Sequence, residues 1–253
     1  MLTISRFIYL LLAGIAAGLL STTVGLASLV SYPALLAIGI PAINANVTNT
    51  AALIFTGLGS SLSSFKELRQ YRQLMWRVTV WSLCGGILGS LLLVALPADS
   101  FERVVPFLVA MAGVLMLWGK KPDQDTVKVE ADGPGSRWLK RIAILGVGLY
   151  IGYFGASAGL MMLAILTITL PTSLGVTNAL KNFAIFAANL MAVVIYSLTV
   201  KIYWLLVIPL GIGFFIGGYI GPMVMKKIPT KILKVIIAIA AWGLSIYLFK
   251  RAY

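Results

Sequence analysis

Along this chain, long apolar runs alternate with short polar breaks. Phe7–Leu20 ends at Ser21-Thr22-Thr23; Val24–Ile40 follows, containing Pro33 and Gly39, and then Val47–Ser64. After a basic segment with Lys66, Arg69, Arg72 and Arg77, which reads as a loop, come Val78–Leu96 and Val104–Trp118. A second series runs Ile142–Leu160, Met161–Leu170 up to Pro171, Leu174–Val200, Ile202–Met225 and Ile232–Phe249. Lipid cannot satisfy open backbone groups, so runs this long and apolar are predicted to be helices. The one long hydrophilic stretch, with Pro122, Gly133, Pro134 and Gly135, reads as a linker. The chain therefore divides into a first membrane unit over 1–118, a linker over 119–141 and a second membrane unit over 142–253.

The two units repeat each other. Gly25 and Pro41 stand 16 residues apart, as do Gly155 and Pro171, and each proline precedes the same tripeptide, Val47-Thr48-Asn49 and Val176-Thr177-Asn178. Gly85-Gly86-x-x-Gly89 before Pro97 matches Gly217-Gly218-x-x-Gly221 before Pro229, so the landmarks keep their order at offsets of 129 to 132 residues. Glycine and proline are frequent in membrane helices, which accounts for single matches but not for the shared tripeptide. The fold class expected is an all-α polytopic membrane protein of two homologous repeats, four to five helical segments each. The glycine-rich stretches 21–31 and 152–159 are expected to be broken or re-entrant helices near the midplane, lining a cavity. The GG-x-x-G segments have the spacing of closely packed helices.

Composition agrees. Of 253 residues, 60% are hydrophobic and 11% charged, less than half the charge that covers a soluble domain. At about 20 residues per span the chain has room for about eight to ten membrane helices and for no separate catalytic domain. The net charge of +13 lies in short loops, as in the positive-inside pattern of membrane proteins rather than in a nucleic-acid-binding surface. Inverted repeats place 14 Lys and Arg on one side, from 66–77, 119–141 and 226–234; parallel repeats also reach 14. Inversion is favoured because the parallel form puts the acid-free cluster Lys226, Lys227, Lys231 and Lys234 outside. The N-terminal run has the shape of a signal peptide but reads as a retained helix, since a similar segment recurs at Ile142–Leu160. The six tryptophans mostly flank the runs, as interfacial anchors do, and Cys84 reads as a small buried residue.

The acids Glu67, Asp99, Glu102, Asp123, Asp125, Glu130 and Asp132 all fall in loops or at helix ends, and the chain has no histidine. Proton relays and many cation sites within membranes use Asp, Glu or His, and paired-carboxylate, Ser–His and metalloprotease chemistries need them too. No catalytic residue, metal ligand or cofactor is assigned. What the apolar runs do contain is neutral donors and one cation. Asn178, Lys181 and Asn182 are spaced i, i+3, i+4 on one helix face, with Asn189 seven residues further on. Asn49, Thr56 and Ser60 form a similar stripe in the first unit, and Asn46, Thr48 and Thr177 flank the helix starts after Pro41 and Pro171. Free N–H groups at a helix N-terminus suit an anion, so these residues are expected to form an anion site shared by the two repeats. Two other readings stay open: Lys181 snorkelling to the headgroups, and the Thr and Asn residues capping helices or joining neighbours.

The stretches GLASLVSYPALLAIGIPAINANVTNTAA (25–52) and GASAGLMMLAILTITLPTSLGVTNALKN (155–182), each a glycine-containing turn, a proline and a Val-Thr-Asn element opening a helix, resemble the TauE/SafE sulfite-exporter family. The likeness extends over nearly the whole chain, including the linker and the GG-x-x-G helices. One departure is the first turn, Gly25-Leu26-Ala27-Ser28, which is poorer in glycine than is usual in the family. The resemblance implies a transporter of small sulfur-containing anions, sulfite or an organosulfonate such as sulfoacetate, with Thr48, Asn49, Thr177 and Asn178 as site residues. The reading is a multi-pass transporter of the cell (inner) membrane, not an enzyme, working by alternating access. The anion is held by Thr48, Asn49, Thr177, Asn178, Lys181, Asn182, Asn189, Ser60 and Asn46 and by helix N-termini. Its partners are the anionic substrate and membrane lipid, without nucleic acid; a homodimer stays open. The alternatives are a membrane-embedded enzyme and a non-transporting scaffold subunit.

Overall fold

The computed structural model describes residues 3–23, 25–118, 134–224 and 230–252. Its helices are α1 (Ile4–Thr23), α2 (Ser28–Ala37), α3 (Ala42–Ser63), α4 (Phe65–Gln70), α5 (Arg72–Ala95), α6 (Ala98–Trp118), α7 (Pro134–Tyr153), α8 (Ala158–Thr169), α9 (Leu174–Thr199), α10 (Trp204–Val224) and α11 (Thr230–Ala252), with no strand among the described residues. All but α2, α4 and α8 have 20 residues or more. At about 1.5 Å per residue these reach about 30 Å, the thickness of a bilayer's hydrocarbon core. Four of them, Ile4–Thr23, Arg72–Ala95, Leu174–Thr199 and Trp204–Met223, are also apolar enough to cross a membrane on length and composition alone.

The two short helices are half-length pieces of 10 and 12 residues. Helix α2 follows a turn at Gly25, whose φ of +80° suits glycine. It ends at Gly39, φ +88°, where the Gly39 N–H bonds the Leu36 carbonyl and the Ile40 N–H bonds the Leu35 carbonyl; this double closure ends a helix at a left-handed residue. Helix α8 follows the matching turn at Gly155 and Ser157, with φ of +71° and +61°.

Several boundaries differ from the sequence expectation. Helix α1 continues through Ser21-Thr22-Thr23 because the hydroxyls of Thr22 and Thr23 bond back to Gly18 and Leu19 carbonyls at 3.0 and 2.6 Å, using up the polar groups that would otherwise compete with the helix. The second break comes at 154–157, several residues before Leu160. The basic segment at 66–77 is helical, split between α4 and the start of α5. Helix α7 opens with Pro134, a favoured first helical position, inside the stretch assigned to the linker. Cys84 is exposed rather than buried. Residues 119–133, with Asp123, Asp125, Glu130 and Asp132, and 225–229, with Lys226, Lys227 and Pro229, lie outside the described residues.

Packing between the halves is reciprocal. Helix α1 lies against α10 and α7 against α5, while α3 also meets α10 and α9 meets α5; α6 and α11 pair with each other. Glycines set the closeness. A Cβ on Gly14 would stand 2.4 Å from the Leu210 carbonyl oxygen, and one on Gly85 would stand 2.1 Å from that of Leu145, which is the backbone approach that small-residue spacings permit. The contacts also give direction. Gly14 meets Leu210 and Gly213, Gly18 meets Phe214 and Gly217, and Gly221 meets Thr22, so α1 and α10 run parallel. In the same way Gly148 meets Ser82 and Gly152 meets Gly86, so α5 and α7 run parallel.

Candidate functional site

The two broken turns meet at the centre of the bundle. A Cβ on Gly25 would fall 2.3 Å from the Gly159 carbonyl carbon, and one on Gly159 would fall 2.5 Å from Gly25 Cα. Backbone therefore touches backbone where α2 and α8 begin. Beside this contact is a cavity of about 30 Å³ lined by Ser21, Ala27, Ser28, Thr50, Ala158, Gly159 and Asn189, among others. A second, of about 20 Å³, is lined by Thr56, Ser60, Asn182 and Asn189 and shares Ser21, Leu53 and Ile185 with the first. At about 10–15 Å³ per water, the first has room for about two or three waters and the second for about one or two. Among the described residues, no acidic side chain lines either cavity.

The first cavity touches the first turns of both α2 (Ala27, Ser28) and α8 (Ala158, Gly159). Neither helix start is closed by a side chain; the N–H groups of Leu29, Val30, Ala158 and Leu160 bond preceding carbonyls, and the outward positive potential is carried by the N–H groups of Ser28 and Gly159, both at the cavity wall. The starts named by the sequence are placed differently. Helix α9 carries its own cap, Ser173 Oγ accepting from the Val176 N–H at 3.5 Å, and neither Pro41 nor Pro171 lines these cavities.

The predicted site residues divide into two groups. Asn182, Asn189 and Ser60 line the cavities; the Asn182 Nδ2 donor and the Thr56 hydroxyl are buried and have no partner among the described residues. The Ser60 hydroxyl donates to the Gly57 carbonyl at 3.2 Å. The others tie elements together. Asn46 Nδ2 donates to the Tyr153 carbonyl at 3.1 Å, the end of α7. Thr48 Oγ1 accepts the Tyr203 N–H at 3.1 Å, just ahead of α10. Thr177 is hydrogen-bonded to Thr172 at 2.8 Å. Asn178 Nδ2 donates to the Thr22 carbonyl at 2.7 Å and Lys181 Nζ to the Ser21 carbonyl at 3.2 Å, both at the C-terminal end of α1.

Lys181 is fully buried, which removes the snorkelling reading. It stands directly behind the cavity wall, since the residue whose carbonyl it holds, Ser21, lines both cavities. Asn49 reaches the first cavity indirectly: its Nδ2 donates to Ser28 Oγ at 3.1 Å, which leaves the Ser28 hydroxyl proton to turn elsewhere. Ser21, Ser28, Thr50 and Thr56 complete the polar lining. Of these, Thr56 lies on the predicted stripe, and Ser21 in the polar break after the first apolar run. The signal for Ser28 is its place three residues after Gly25, where a helix must restart.

Comparison with known proteins agrees with a transporter. The model of the family described as sulfite exporter TauE/SafE matches residues 10–248. The probable membrane transporter protein ORF9 of Sinorhizobium sp is 25% identical over 243 residues, covering 95% of this chain and 91% of the relative. A probable membrane transporter protein of Haemophilus influenzae is 27% identical over 227 residues, covering 88% and 87%. The probable membrane transporter protein YfcA of Escherichia coli K12 is 22% identical over 231 residues, covering 90% and 84%. No solved structure matches.

Proposed function

The chain belongs to the sulfite exporter TauE/SafE family and is a membrane transporter, and from that premise we propose that it carries a small sulfur-containing anion, sulfite or an organosulfonate, across the inner membrane by alternating access. The observation that carries this reading is the pair of uncapped helix starts, α2 and α8, facing one acid-free cavity. Each start presents a fraction of a positive charge on its free N–H groups, and half-helix N-termini pointing at an anion are a recurrent device of transporters. Ser28 and Thr56 hydroxyls and the Asn182 and Asn189 amides add neutral donors. Lys181, one residue behind the wall, adds a further N–H donor.

The cavities hold only water-sized volumes, so loading requires the two halves to part. The parallel course of α1 with α10 and of α5 with α7 supports halves of opposite orientation. Helices α9 and α10 are joined by four residues and α3 and α5 by the short α4, as antiparallel neighbours are; with α5 parallel to α9, where Ser82 bonds the Ala184 carbonyl and Gly86 meets Ala188, the first helices of the two halves would enter from opposite sides. Flux in proteoliposomes with sulfite, sulfate, thiosulfate, sulfoacetate and taurine tests the proposal. Sulfite and sulfoacetate should move, and zwitterionic taurine should move at least tenfold more slowly. Equal rates for taurine and sulfoacetate would remove the electrostatic basis of the reading.

A further inference from the structure

A third cavity, of about 210 Å³, shares no lining residue with the central pair and lies among the first turns of α5, the first half of α7 and the C-terminal end of α8. Arg77, Lys140 and Arg141 line it, with no acidic side chain among the described residues, and the rest of the wall is Thr169, Trp81 and the apolar side chains of Leu74, Val78, Ile144 and Leu170. The Arg141 guanidinium sits 5.2 Å from the Trp138 ring and 5.8 Å from the Trp81 ring, which pack edge to face at 6.0 Å. Contact with ring faces positions the guanidinium without occupying its N–H donors. Trp138 is 55% exposed, and exposed indoles beside basic residues mark the headgroup level of a bilayer.

We propose that this cavity binds the phosphate-bearing headgroup of an anionic phospholipid. The Arg77 and Arg141 guanidinium groups match the phosphodiester, and the apolar part of the wall takes the glycerol and the first acyl carbons. A free anion would use the cations and leave the four apolar side chains uncovered. Basic pockets between membrane helices bind anionic headgroups through this combination.

Native mass spectrometry of the full chain, released from bilayers of equal phosphatidylglycerol and phosphatidylcholine, reads the site directly. The wild type should retain phosphatidylglycerol preferentially. Arg77→Gln and Arg141→Gln should each cut that preference about fivefold, the effect of one basic residue beside an anionic surface, whereas Arg141→Lys should keep most of it. The double variant Lys66→Gln/Arg69→Gln removes two charges from α4 without touching the cavity and should leave the preference in place. Equal retention of the two lipids, equal loss in the α4 variant, or displacement of the lipid by millimolar inorganic phosphate would each overturn the assignment; the last would make it a soluble-anion site.

Discussion

A lysine buried within a membrane helix is costly, so the position of Lys181, fully buried in α9, requires a compensating partner. The Ser21 carbonyl is that partner, at the negative end of the α1 dipole. Replacing Lys181 by Met should therefore destabilise the fold by about 1–3 kcal/mol, the cost of orphaning a buried acceptor, read as a lower melting temperature in detergent. An unchanged melting temperature would deny Lys181 its structural role. Asn182 should behave oppositely. Its Nδ2 has no protein partner, so Asn182→Ala should leave the melting temperature nearly unchanged while lowering anion affinity about tenfold, as expected for one hydrogen bond to a charged group. Identity and helical spacing were enough to single out Lys181, Asn182 and Asn189. They could not separate cavity-facing donors from those that tie elements together, because Asn46, Thr48 and Asn178 reach backbone groups more than a hundred residues away.

At the scale of elements, α2 and α8 depend on turns that tolerate no side chain. Gly25→Ala should abolish folded yield, since the new methyl would meet the Gly159 backbone at 2.3 Å and the φ of +80° disfavours any residue with a Cβ. Gly146→Ala on α7 meets nothing within 4 Å and should be neutral or stabilising by up to about 1 kcal/mol, the helix-propensity difference. Expression and thermal melting of the two variants check the contrast. Periodicity located these elements but not their exact ends: Thr22 and Thr23 continue a helix by bonding to their own backbone, whereas the break at 154–157 falls within the glycine-rich stretch 152–159 where one was expected. Which helix starts face the cavity was beyond sequence for another reason. Pro41 and Pro171 mark starts clearly, whereas the starts of α2 and α8 show only as glycine-containing turns.

For the whole molecule, the duplicated landmarks lead to the reciprocal packing of α1 on α10 and α7 on α5, and tallies of loop charge could not set the relative orientation of the halves because both arrangements gave 14. The parallel register of glycine contacts between α1 and α10 and between α5 and α7 supports the inverted arrangement proposed above. With neither carboxylate nor histidine in the two central cavities, proton coupling should travel on the substrate. An inward pH gradient should then drive sulfite, which can be protonated, and have no effect on sulfoacetate at neutral pH beyond that of the membrane potential; pH-driven sulfoacetate flux at clamped potential would contradict this. The most direct test of the central claim, an anion held between the uncapped starts of α2 and α8, is sulfoacetate flux in proteoliposomes carrying the wild type or Asn182→Ala/Asn189→Ala. The account predicts at least a tenfold loss of flux at unchanged melting temperature; equal flux in the two proteins would contradict it.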